Sequence, residues 1–183
     1  MGAYLTQALI ESPDKTEEMS KTFKEAVRRD ILGQYSESIR HYEFVLSKNN
    51  NPTVDAYLNL GFIYGEVAIE PPFSFDEGIS DKWSLIGQER SPVILQQGLS
   101  KYPQNGELHF WMRYFPYRLQ TQDFTKEDCE KIIENYGDTE SIVPYFFLYL
   151  FDKEKYREKR EKLLKQCEVL PTAKNRYIKS IIG

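Results

Sequence analysis

The feature that most restricts what this chain can fold into is a period. Leu95, Cys129 and Leu163 stand 34 residues apart, as do Leu99, Ile133 and Cys167, and as do Pro103, Gly137 and Pro171. Two apolar columns and one column of helix-ending residues describe a single unit copied along the chain. A unit of that size cannot bury its apolar face alone, so neighbouring copies must stack. Trp111 with Tyr145, and Tyr114 with Leu148, keep the same interval one helix earlier. Proline and glycine punctuate segments of helical periodicity, and no stretch alternates apolar and polar residues between hairpin turns. The chain is therefore predicted to be all-α.

The first units show how the helices begin and end. Phe23, Ala26, Val27, Asp30 and Ile31 make one face of a helix over about 17–32, which Gly33 closes as a C-cap. Ile39, Tyr42, Val45 and Leu46 form the buried face of a second helix. A third follows Pro52, with Ala56, Tyr57, Leu60, Gly61 and Tyr64 as one stripe. The stretch Gly33-Gln-Tyr35-x-x-Ser-Ile39-x-x-Tyr42-x-x-Val-Leu46, followed by Asp55-Ala-Tyr-Leu-Asn-Leu-Gly61-x-x-Tyr64, resembles the tetratricopeptide repeat. The resemblance implies one domain over residues 1–183, a right-handed superhelical stack of about four antiparallel helix pairs at 19–52, 54–105, 106–139 and 140–173. A helix over 173–182, with Tyr177, Ile178 and Ile181, is expected to cap the open end. The C-terminal half departs from the pattern, because Arg113 and Phe147 stand where the family places a small residue. Pro116 predicts a kink or an end near Phe115.

The second pair is interrupted by about 18 extra residues, roughly Glu70 to Ser91. This insert carries Phe73, Phe75, Asp76, Glu77 and Trp83, which either fold back over a repeat edge or meet a partner. Ser91 and Pro92 are expected to start the resumed helix as N-cap and first-turn proline.

Enzymatic motifs are missing: there is no phosphate-cradling glycine loop, no GxSxG, no HExxH and no dinucleotide fingerprint. His41 and His109 are the only histidines, and Cys129 and Cys167 the only cysteines. No catalysis, metal or cofactor is expected. The net charge of −4 argues against a general nucleic-acid binder. It conceals an asymmetry: residues 1–151 carry 14 basic and 23 acidic side chains, residues 152–183 carry 10 and 5. No apolar run reaches the ~20 residues of a membrane span, and no export signal is visible, so a cytoplasmic, membrane-independent protein is expected.

The resemblance also implies where a partner would sit, since the first helix of each pair lines a concave groove in this family. The matching residues are Phe23, Lys24, Val27, Asn59, Phe62, Glu66, Trp111, Tyr114, Arg118 and Tyr145. In so short a stack the same rings could instead fill the core. The family's carboxylate-holding members differ here: at the matching positions Phe23, Val27, Asn59, Glu107 and Trp111, only Asn59 agrees. A non-enzymatic adaptor binding a protein or peptide, a basic one suiting the acidic body, is the leading expectation. The alternative is an immunity- or antitoxin-type inhibitor of a basic effector. The rings of 145–151 leave a weak homodimer open beside a monomer.

Overall fold

The computed structural model describes residues 13–69, 82–137 and 141–183, all in helices and their connections, with no strand among them. The helices run α1 Pro13–Ile31, α2 Tyr35–Lys48, α3 Val54–Ile69, α4 Lys82–Lys101 and α5 Gly106–Arg118. They continue as α6 Lys126–Tyr136, α7 Tyr145–Tyr149, α8 Arg157–Val169 and α9 Ala173–Ile182. Each helix packs on its successor in the series α1–α2, α2–α3, α3–α4, α4–α5, α5–α6, α6–α7, α7–α8 and α8–α9. The periodic columns fall on α4, α6 and α8: Leu95, Cys129 and Leu163 are all buried, and Pro103, Gly137 and Pro171 follow the helix ends.

Local chemistry sets the ends. Gly33 takes φ +73, and Gln34 N–H reaches back to the Arg29 carbonyl, which closes α1. Asn105 caps α5 by accepting from Leu108 N–H at 3.0 Å. Thr125 and Asp128 form a reciprocal capping box on α6.

The tightest helix pair is α3 with α4, and glycine makes it possible. A Cβ on Gly87 would lie 2.4 Å from the Tyr64 carbonyl oxygen, and one on Gly61 2.6 Å from the Leu95 side chain. The C-terminal half is built from rings instead. Phe110 contacts Trp111, Tyr114, Phe124, Phe146 and Phe147 at centroid separations of 5.0–6.3 Å, mostly edge to face.

Four expectations need correction. Ser91 is not an N-cap: α4 begins at Lys82, and the Ser91 hydroxyl, deep in the α3–α4 seam, donates to the Gly61 carbonyl at 2.9 Å. Residues 82–91 of the expected insert are thus helix, while Phe73, Phe75, Asp76 and Glu77 lie outside the described residues. Pro116 does not end α5 near Phe115. The helix runs on to Arg118 and closes where Leu119 N–H bonds to the Phe115 carbonyl. The first helix of the last pair shrinks to the five residues of α7. Finally, α9 does not cap an open end; it folds back against α3, α7 and α8.

Candidate functional site

The position of α9 decides what becomes of the expected groove. Its N-terminus is held by α1, because Asp30 accepts from the Ala173 N–H at 2.6 Å. That carboxylate does the capping work that Thr172, the N-cap residue, leaves undone with its own side chain. Arg176 donates to the Ile31 carbonyl at 2.9 Å, the Asp30 carbonyl at 3.0 Å and the Tyr35 hydroxyl at 2.7 Å. Lys174 reaches α5, where it meets the buried Glu107 carboxylate at 2.5 Å. Further along, Tyr177 sits among Phe62, Tyr114 and Phe146, its hydroxyl 2.5 Å from that of Tyr114 and accepting from Arg118. Ile178 and Ile182 are buried.

Burial and pairing move the two anchoring carboxyls in opposite directions. Burial pushes the Asp30 carboxyl up to about 6, against the opposing pull of the Ala173 N–H, Arg176 and Tyr42. Burial acts on Glu107 in the same sense, but the Lys174 charge and hydrogen bonds from Lys174, Ser141 and Trp111 together hold it below the usual carboxylate range. Desolvation also raises both buried thiols, that of Cys167 to about 11, so neither cysteine is a ready nucleophile at neutral pH.

The expected groove residues accordingly separate into four groups. Phe23, Lys24, Val27 and Asn59 line an open cleft of about 380 Å³ between α1, α3, α8 and the start of α9. Its other walls include Asp55, Val143, Leu163, Leu170, Thr172 and Lys174. Phe62 and Trp111 are core residues with no exposed surface, 5.0 Å apart as rings. Glu66, Tyr114 and Arg118 lie beyond Tyr177 in a second depression that Leu150 and Ile181 help to line. Tyr145 joins neither; it packs on Tyr156, with Lys159 4.6 Å above its ring. Trp83 is on α4, stacked on Tyr64 at 6.4 Å.

The first cleft has an apolar floor and polar groups with spare capacity. Asn59 donates to the Tyr42 hydroxyl at 3.0 Å, and Tyr42 in turn faces Asp30 at 3.4 Å. Lys24 and Asp55 are exposed on its margin. The Thr172 hydroxyl is buried without a hydrogen-bond partner. Among the described residues, no group of three or more His, Cys, Asp or Glu is placed to hold a metal ion. His109 stacks on Tyr136 at 3.7 Å and contacts the Pro103 carbonyl, which gives it a structural task at the α5–α6 corner. No helix among the described residues is long and apolar enough to cross a membrane.

In the sequence, Asp30 stands on the apolar face of the first helix beside Phe23, Ala26 and Val27. A carboxylate in such a stripe signals a buried partner. Glu107 and Lys174 gave no comparable signal, since 67 residues separate them. In comparisons with known proteins, the sequence matches no family model, no curated protein and no solved structure.

Proposed function

We propose that this chain is a non-enzymatic interaction module of the tetratricopeptide-repeat kind, in which α9 fills most of the face such repeats present and a protein or peptide segment binds in the cleft that remains. The observation that carries this reading is the open, apolar-floored cleft itself, about 380 Å³ between α1, α3, α8 and the start of α9, with Lys24 and Asp55 exposed on its margin. Phe23, Val27 and Leu163 supply the apolar contact, and Asn59 a further polar handle. The charged residues of the lining, Lys24 and Lys174 against Asp55 and Glu107, balance. That balance favours a neutral or mixed segment over a strongly basic effector, and so favours adaptor over inhibitor.

The test places a photo-crosslinking residue at Val27, within the cleft, and separately at Glu89, exposed on α4. Irradiation in lysate of the source cells should capture one stoichiometric partner from position 27 and not from 89. Equal capture at both positions, or none at 27, would move the interface away from the cleft.

A further inference from the structure

Among the described residues, two helices carry an internal proline, Pro92 in α4 and Pro116 in α5. Proline has no N–H, so the carbonyl four residues earlier loses its helical partner. Those carbonyls belong to Gln88 and Met112. Residues i and i−4 share a helix face, so each freed carbonyl opens on the side where its proline lies. All four residues, Pro92, Gln88, Pro116 and Met112, line one cleft of about 450 Å³ between α4 and α5. The volume lies in the range of small-molecule sites, which pair apolar walls with a few polar groups.

We infer that this cleft binds a small, neutral molecule with an apolar body and N–H or O–H donors, which the Gln88 and Met112 carbonyls accept. The walls are supplied by Leu95, Phe115, Pro116 and Leu119. On the α3 side the Phe115 ring closes over Gly65, where a Cβ would lie 2.3 Å from it. Neutrality follows from the charges: no carboxylate lines the cleft among the described residues, and its one cation, Arg113, donates to the Asp123 carbonyl at 3.2 Å and lies 3.8 Å from Asp128. A cationic ligand would have no counter-charge, and an anion would have to compete for an arginine already engaged. The site is separate from the α1–α3 cleft and does not depend on the interaction proposed there.

Indole is a suitable probe, with 1-methylindole as the analogue lacking the donor. Both are titrated into ¹³C,¹⁵N-labelled protein while the carbonyl-carbon resonances of Gln88 and Met112 are followed. Indole should bind saturably, shift those carbonyls downfield, and bind about three- to tenfold more tightly than 1-methylindole, the worth of one net hydrogen bond. Pro92→Ala and Pro116→Ala each return an N–H to the helix and so occupy one of the two acceptors. The double variant should fold, as helix propensity favours the change, and should lose the preference for indole. Equal affinity for the two probes, a preference that survives in the double variant, or no saturable shift at Gln88 and Met112 would each overturn the inference. If the double variant failed to fold, the comparison of probes on the unaltered chain would still decide.

Discussion

The two halves of the molecule solve the same packing problem with opposite materials. In α3 and α4 the contact is made by absence: Gly61, Gly65, Gly87 and Gly98 are each occupied, where a side chain would begin, by an atom of a neighbouring helix within 2.9 Å. From α5 onward the contact is made by bulk, with Phe110, Trp111, Phe146 and Phe147 filling the space. Close backbones make a long helix pair. In the ring-packed half α7 is only five residues long, and α9 packs against both α7 and α3. The basic C-terminus thereby acquires an intramolecular role, since Lys174 and Arg176 meet Glu107 and the end of α1.

The sharpest way to break the second solution is to unpair its buried charge. Lys174→Met strands the Glu107 carboxylate and should cost about 3–5 kcal/mol at neutral pH; most of this should return in the Lys174→Met, Glu107→Gln double variant, both read by urea denaturation. The first solution breaks at Gly87. Gly87→Ala drives a Cβ into the Tyr64 carbonyl and should cost about 3 kcal/mol, whereas Gly106→Ala meets nothing closer than 3.3 Å and should stay within about 1 kcal/mol.

A pH series separates the two anchors of α9. The Asp30 carboxyl titrates in the folded protein at about 6, above its ordinary 3.8. Its contribution is fully present below pH 3.8 and is lost as pH rises through 6, a decline of up to about 3 kcal/mol. Glu107 has the opposite sign: its folded value is depressed, so its contribution is present above pH 4.5 and is lost as pH falls. Asp30→Asn should flatten the slope between pH 4 and 6 and leave the acid limb intact, as followed by urea midpoints across pH. The smallest effect is expected at Lys24, exposed on the cleft margin. Lys24→Ala should change stability by less than about 0.5 kcal/mol while weakening capture of a partner crosslinked at position 27.

How far the sequence could be read depended on whether the signal was local. The 34-residue columns and the stripes of α1 to α3 are statements about one helix and its neighbour, and they led directly to an all-α chain. Ser91-Pro92 misled because a buried serine bonding to the Gly61 carbonyl has the same local sequence as an N-cap. Whether Phe62 would line a groove or fill the core was not legible locally, because its ring packs on Tyr177, 115 residues away. Nothing in the segment 173–182 says whether its apolar side covers an open end or returns to the middle. Asp30 was the one local hint, a carboxylate set in an apolar face and awaiting the N-terminus of a distant helix.

The central claim is that α9 is a core element rather than an appended cap, and native-state amide hydrogen exchange tests it most directly. The amides of Tyr177, Ile178 and Ile181 should exchange only through global unfolding, with the same opening free energy as Leu60 and Tyr64 in α3. Exchange of the α9 amides through a separate, lower-energy opening while α3 stays protected would contradict the account.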